Sequence, residues 1–162
     1  MMPDRPESLL LDADGISRNV LITGHVKHPM VLCLSSLRQL PSQILEDFGV
    51  SCRFDSKQAA LRRLRVTRLD SLVLDAQPIM ERDDDFKKLI VIAESLEGYR
   101  ALFSWMELFH SPVGEQVYVA FDSADAPFLP HQGQFALVSG ADTFTGPRHV
   151  RNLARITVQK VW

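Results

Sequence analysis

Short runs of β-favouring residues, separated by turn signals, dominate this sequence and limit the folds that it can adopt. The helical segments between them are short and do not follow each strand, as a doubly wound parallel sheet requires. The pattern therefore predicts an α+β fold with a mixed or antiparallel β-sheet and short helices. The predicted strands are Asn19–Thr23, Val31–Leu34, Ser42–Phe54 with a break at Gly49, Leu89–Ala93, Tyr99–Ser104, Glu115–Phe121 and Phe135–Val138.

The predicted helices are short and lie between these strands. Ser35 and Ser36 favour a single helical turn that stops before Pro41. Thr67 is interpreted as the N-cap of a helix over 68–74, and a third helix covers 105–109. The apolar side chains of the second helix fall on one face, which predicts that this face is buried. Those side chains are Leu69, Leu72 and Val73.

Two further segments carry predictions about burial. Leu89–Ala93 is a continuous apolar run of strand length, which predicts a central strand covered on both faces. The acidic stretch Glu81–Asp85 predicts a solvated loop. Residues 124–134 contain prolines and predict another loop.

Length and charge limit the domain count and the classes of function. The 162-residue chain has the size of one domain, with residues 1–18 as a lead-in arm and residues 19–162 as the folded part. Eighteen basic and twenty acidic side chains give a net charge of −2, which argues against nucleic-acid binding as the main role. No apolar run approaches the roughly 20 residues of a membrane span, and no secretory signal is visible. These features predict a cytoplasmic protein, or a periplasmic one if a leader was removed.

The sequence contains two cysteines, Cys33 and Cys52. Without an export signal, a structural disulfide between them is not expected. There is also no Cys/His cluster at the spacing of a structural zinc site. Cys33 lies inside an apolar run and is predicted to pack in the interior.

The C-terminal third carries a series of motifs that resembles a known family. In order and residue type, these motifs are similar to the C-terminal part of the molybdopterin-binding domain of the sulfite oxidase family. The motifs are Glu97-Gly98-Tyr99-Arg100 leading a strand, the short segment Trp105-Met-Glu-Leu-Phe109, the strands over 115–121 and 135–138, and the closing segment Gly146–Val158.

The N-terminal half fits the same resemblance. Residues 19–41 are similar to the opening segment of the family, and residues 66–72 resemble one of its helices. The matching positions in the opening segment are Gly24, Pro29, Leu37, Leu40 and Pro41. The resemblance spans about residues 19–160 and implies a small stand-alone domain of the sulfite-oxidase-type molybdopterin-binding fold.

The resemblance implies a role for Cys52, which falls at about the position of the family's molybdenum-ligating cysteine. There the metal is held by the dithiolene of the pterin and by one protein thiolate, a soft ligand suited to a thiophilic metal. Cys52 would then be both the metal ligand and the catalytic centre, and nearby Arg53 would favour its thiolate. The alternative is that Cys52 is a small buried apolar residue, as free cysteines often are.

The resemblance also implies a cofactor-binding segment made of Arg148, His149, Val150 and Arg151, which would contact the pterin phosphate through backbone amides and basic side chains. The alternative is that Gly146 and Pro147 turn the chain and that the arginines are solvated. A second basic group also has two interpretations. It forms an anion-binding surface, or it lies on a solvated edge strand. Its members are Arg62, Arg63, Arg65 and Arg68.

Three hypotheses for function follow from the resemblance. The first is a molybdopterin-dependent oxidoreductase that exchanges an oxygen atom or two electrons with a small-molecule or oxyanion substrate, with a redox partner protein as electron acceptor. The second is a cofactor-free domain of the same fold that binds a ligand or a partner. The third is a fragment of a multi-subunit oxidoreductase that needs a partner for its electron acceptor. The family's N-terminal Arg-Asn-His element has no counterpart at Arg18-Asn19, which favours the second hypothesis.

Overall fold

The computed structural model describes residues 15–46, 48–52, 55–61, 63–123 and 133–162, with the backbone alone for residues 48–52, 55–61 and 123. Strands and short helices follow one another along this part of the chain. The strands are β1 (Asn19–Gly24), β2 (Met30–Cys33), β3 (Gln43–Leu45), β4 (Phe48–Cys52), β5 (Asp55–Leu61), β6 (Leu64–Arg68), β7 (Leu89–Ser95), β8 (Arg100–Ser104), β9 (Val117–Ser123), β10 (Ala136–Ser139) and β11 (Leu153–Lys160). The helices are α1 (Leu34–Gln39), α2 (Leu69–Asp75) and α3 (Trp105–His110), with 3₁₀ segments over Asp85–Lys88 and Pro112–Gln116.

A five-stranded mixed sheet, in the order β2-β1-β11-β7-β8, brings the first and last strands of the described chain together. β1 runs parallel to β11, and the other neighbours in this sheet are antiparallel. Gly24 ends β1 with a φ of +98°, and a Cβ there would lie 2.1 Å from the carbonyl oxygen of Val158. Glycine is therefore required where the chain leaves the sheet.

A second sheet, in the order β10-β9-β6-β3, is antiparallel throughout, and β4 and β5 form a separate antiparallel pair. Mixed and antiparallel sheets with short helices confirm the predicted α+β class. Among the described helices, none combines the length and the apolar character that crossing a bilayer demands.

One apolar cluster joins the two larger sheets and the helices. It includes side chains of the mixed sheet, such as Val91 and Ile156, and of the antiparallel sheet, such as Val119 and Leu137. The predicted apolar face of α2 is buried in it, since Leu69, Leu72 and Val73 are all at most 1% exposed. The two sheets and α2 therefore share one core.

Several predicted boundaries were wrong. Thr67 is not an N-cap: it lies in β6, where its hydroxyl donates to the carbonyl of Pro41 at 3.1 Å, and Arg68 is the N-cap of α2. The first helix begins at Leu34 with Cys33 as its N-cap, so Ser36 lies within the first turn. Strand pairing explains both errors, because β2 extends to the residue directly before α1 and β6 to the residue directly before α2.

The break predicted at Gly49 in the strand over Ser42–Phe54 falls at a different position. β3 ends at Leu45 and β4 begins at Phe48, and Gly49 is within β4 opposite Ala60. β7 was predicted as a doubly covered strand, but buried and half-buried residues alternate along it. Ile90 and Ile92 thus lie on the less buried face of the mixed sheet.

The acidic stretch was predicted to be solvated throughout, and Asp85 contradicts this. Its side chain is fully buried, and its carboxylate lies 3.3 Å from the ammonium groups of both Lys88 and Lys160. The carboxylate also accepts the backbone amides of Glu81 and Arg82. A buried charge is tolerated when it is paired in this way. Of the predicted loop over 124–134, residues 124–132 lie outside the described residues.

Candidate functional site

The predicted cofactor-binding segment lies between β10 and β11, and its backbone is already hydrogen-bonded. The amide of Val150 donates to Leu137 at 2.9 Å, and the amide of Leu137 donates back to Val150 at 2.8 Å. The amide of His149 donates to the carbonyl of Gly146 at 3.1 Å. Val150 is also fully buried. The amides of His149 and Val150 therefore cannot bind a phosphate while these bonds persist.

Arg148 joins the loop before it to β8 and α3. Its guanidinium donates to Asp142 at 2.5 and 2.7 Å, to Glu107 at 3.2 Å and to the carbonyl of Leu102 at 3.1 Å. The guanidinium carbon also lies 4.3 Å from the centre of the Phe103 ring, a cation–π contact. The hydrogen bonds with Asp142 raise the pKa of Arg148 above its usual value. Arg148 thus stabilises the loop.

A pocket of about 380 Å³ lies beside this segment. It is lined by Ser95, Glu97, Tyr99, Gly146, His149, Arg151 and Asn152. The structure therefore brings two of the four predicted cofactor residues, His149 and Arg151, to one pocket. Arg148 and Val150 do not line it.

Arg151 and His149 differ in their electrostatic state. Arg151 is exposed, and within the described part of the chain its guanidinium has no hydrogen bond or ion pair. His149 is 6% exposed, and burial, followed by the nearby charge of Arg151, lowers its pKa to about 4. His149 is consequently neutral at pH 7, and Arg151 carries the positive charge of the pocket.

Asn152 lines the pocket and was not identified from the sequence. It has a φ of +51°, a conformation that asparagine adopts more readily than most residues. Its side-chain amide donates to the Gly15 carbonyl at 2.9 Å and to the Glu97 carboxylate at 2.6 Å, and its oxygen accepts the amide of Ser17 at 2.8 Å. The described end of the lead-in arm therefore packs on the pocket. These partners are distant in sequence, so no local pattern signals the role.

The turn between β7 and β8 forms one wall of the pocket. The hydroxyl of Tyr99 donates to the carbonyl of Pro147, and the amide of Tyr99 donates to Ser95 Oγ at 2.9 Å. Gly98 turns the chain with a φ of +98°. Because the Tyr99 hydroxyl and the Asn152 side-chain amide already donate within the chain, Arg151 is the main side-chain donor left for a ligand among the described residues of the pocket.

Cys52 is the last residue of β4 and pairs with Asp55 across the hairpin. Its side chain and Arg53 lie outside the described residues, so the metal-ligand role stays a prediction. In the described ranges, no group of three or more His, Cys, Asp or Glu side chains is arranged to hold a metal ion.

Cys33 was predicted to pack in the interior, but it is only half-buried. Its sulfur lies 3.0 Å from Ser35 Oγ and 3.4 Å from Ser36 Oγ. The hydrogen bond with Ser35, followed by those with Ser36, lowers the pKa of the thiol to about 6. Polar neighbours at the start of α1 therefore surround this sulfur.

The described members of the second basic group do not form one continuous anion-binding surface. Arg68 is bound to Asp70 at 2.6 Å, and Arg63 lies 3.9 Å from Glu46 before β6 begins. Arg65 is exposed on β6. Arg62 lies outside the described residues. The pairing of Arg68 with Asp70 offsets the charge expected of an anion-binding surface.

Comparison with protein-family models gives no match for this sequence, and comparison with curated proteins gives none either. Among solved structures, the chain is similar to the sulfane dehydrogenase SoxCD from Paracoccus pantotrophus, with a TM-score of 0.62 and 14% sequence identity. The match covers 93% of this chain and 40% of that chain, so this chain spans less than half of its neighbour. At this identity the likeness shows the fold alone.

Proposed function

We propose that this chain is a sulfite-oxidase-type domain that binds a small ligand through an anionic group, a phosphate or an oxyanion, at Arg151. The observation that carries the proposal is the guanidinium of Arg151, which lines the 380 Å³ pocket and has no hydrogen bond or ion pair with any described residue. A guanidinium presents paired donors that match two oxygens of a phosphate or an oxyanion. Among the described residues, no other arginine or lysine lines this pocket.

Molybdopterin is one source of such a phosphate, and the residues fit it in part. Arg151 and His149 would hold the phosphate, and the thiolate of Cys52 would bind the metal. When bound, the molybdenum centre supplies oxygen-atom or two-electron transfer with a small substrate, and a redox partner protein would accept the electrons. Arg148 and Val150 do not fit the same role, because their donors are used within the chain.

A free oxyanion is the second source, and it corresponds to a cofactor-free binding domain. The engaged amides of His149 and Val150 and the engaged guanidinium of Arg148 favour it. They leave fewer donors for a large cofactor, whose binding must offset the loss of its hydration. The carboxylate of Glu97 is turned to Asn152, which reduces its repulsion of an anion in the pocket.

The test compares the wild type with Arg151→Gln after expression in molybdate-supplemented cells. Molybdenum is measured by mass spectrometry and pterin by fluorescence, and phosphate and sulfite are titrated into the metal-free protein by calorimetry. Losing a charged hydrogen-bond donor should weaken anion binding by about ten- to a hundredfold. The matched control is Arg155→Gln, a partly exposed arginine on β11 outside the pocket. Equal binding by Arg151→Gln and the wild type would refute the proposal.

Substitutions of the two cysteines distinguish bound molybdopterin from a free oxyanion as the ligand. If molybdopterin is bound, Cys52→Ser should lose molybdenum, whereas Cys33→Ser should retain it. If the protein contains neither metal nor pterin and still binds sulfite or phosphate through Arg151, the cofactor-free domain is the correct hypothesis. Molybdenum retained by Cys52→Ser would exclude Cys52 as the ligand.

A further inference from the structure

A second pocket, of about 400 Å³, lies where the end of α1, the edge strand β3, β6 and α2 meet. Val66 and Leu72 lie beneath it and are at most 1% exposed, so its accessible apolar surface comes from half-buried Leu40 and exposed Pro41. The rest of its lining consists of Ser42, Gln43, Thr67, Arg68, Ser71 and Asp75. It shares no described residue with the pocket at Arg151.

Some of the polar groups of this second pocket are already engaged. The hydroxyl of Thr67 donates to the carbonyl of Pro41 at 3.1 Å. The guanidinium of Arg68 donates to Asp70 at 2.6 and 3.1 Å, so a neighbouring carboxylate offsets its charge. Within the described residues, the carboxylate of Asp75 makes no hydrogen bond or ion pair. Asp75 is therefore the charged group of this pocket that remains available to a ligand.

The position of Asp75 adds to the negative potential at the rim. Asp75 is the last residue of α2, and the last turn of this helix contains no basic residue. The C-terminus of a helix carries a partial negative charge, so a carboxylate there is unfavourable and a cation is favourable. A bound cation would remove this repulsion between Asp75 and the helix end.

We propose that the second pocket binds a small organic cation with an apolar body. The ammonium group would contact Asp75 at the C-terminal end of α2, and the apolar body would pack on Leu40 and Pro41. Apolar burial would supply the main attraction, and the charge would select cations over neutral molecules of the same shape. This site does not depend on the function proposed for Arg151.

The test uses two probes of nearly the same shape, para-fluorobenzylamine and the neutral para-fluorobenzyl alcohol. Binding of each to the full chain is measured by fluorine NMR at low salt. The amine should bind about fivefold more tightly than the alcohol, as expected for a partly exposed ion pair. The difference should shrink in high salt, because salt screens exposed charges.

Substitutions test whether Asp75 causes the difference in affinity between the amine and the alcohol. Asp75→Asn should bring the amine to the affinity of the alcohol, whereas Asp83→Asn, an exposed acid outside the pocket, should leave the preference unchanged. Ser71→Leu places a larger side chain at the exposed rim and should weaken both probes. The proposal is wrong if neither probe binds, if both bind the wild type equally, or if Asp75→Asn keeps the preference for the amine.

Discussion

Asp85 illustrates how one side chain connects distant segments. Its buried carboxylate contacts Lys88 in the same 3₁₀ segment and Lys160 at the end of β11. Burial is the largest single influence on its pKa and would raise it. The ion pair with Lys88 and the hydrogen bonds from the Arg82 amide and Lys160 together outweigh burial and lower the pKa to about 2. Folding therefore favours the charged form of this carboxylate.

Asp85→Asn should lower the denaturation temperature by several degrees, because it leaves two half-buried ammonium groups without their anion. The carboxylate stabilises the native state above its unfolded pKa of about 4, and this contribution is lost as the pH falls toward about 2. The wild type should thus lose stability relative to Asp85→Asn across this window, as measured by thermal unfolding at a series of pH values.

Asp84→Asn, at an exposed pair, is the control and should change little. A constant difference between wild type and Asp85→Asn from pH 7 to about pH 2 would contradict the assignment.

At the scale of elements, α3 depends on a reciprocal cap because it is too short to be stable alone. Ser104 Oγ accepts the amide of Glu107 at 3.0 Å, and the Glu107 carboxylate accepts the amide of Ser104 at 2.9 Å. Glu107 also accepts from Arg148, so the same carboxylate joins the helix start to the loop beside the Arg151 pocket.

Ser104→Ala should lower the free energy of unfolding by about 1 kcal/mol, the usual effect of losing an N-cap side chain. Urea unfolding measures this change, with Thr143→Ala at an exposed loop position as the control. An unchanged unfolding midpoint in Ser104→Ala would show that the cap does not stabilise α3.

Features that depend on residues close together in the sequence were predicted correctly, whereas contacts between residues far apart in the sequence were missed. The buried face of α2 was predicted correctly because Leu69, Leu72 and Val73 form a local pattern with helical spacing. Asp85 and Asn152 were missed because each has a partner far along the chain, 75 residues away for Lys160 and 135 for Ser17. In the candidate site, the sequence showed which residues are basic. It did not show which of them would pair with Asp142 and Glu107.

The whole molecule depends on pairings between distant parts of the chain. β11 lies between β1 and β7 in the centre of the mixed sheet, so this sheet cannot be completed without the segment that follows the candidate site. The apolar cluster contains residues of both large sheets, and the Arg151 pocket lies beside the start of β11. The position of the pocket therefore depends on the complete fold.

Because the two sheets share one core, the described fold should unfold as a single cooperative unit. Ile156 is fully buried on β11 and belongs to the shared cluster, so Ile156→Ala should lower the free energy of unfolding by about 3 kcal/mol. Gln159→Ala, at an exposed position of the same strand, should change it little. Far-ultraviolet circular dichroism reports the strands and near-ultraviolet circular dichroism reports the aromatic packing, and their urea midpoints should move together in Ile156→Ala. Separate midpoints would mean that one sheet unfolds before the other, because the shared cluster would then not couple them.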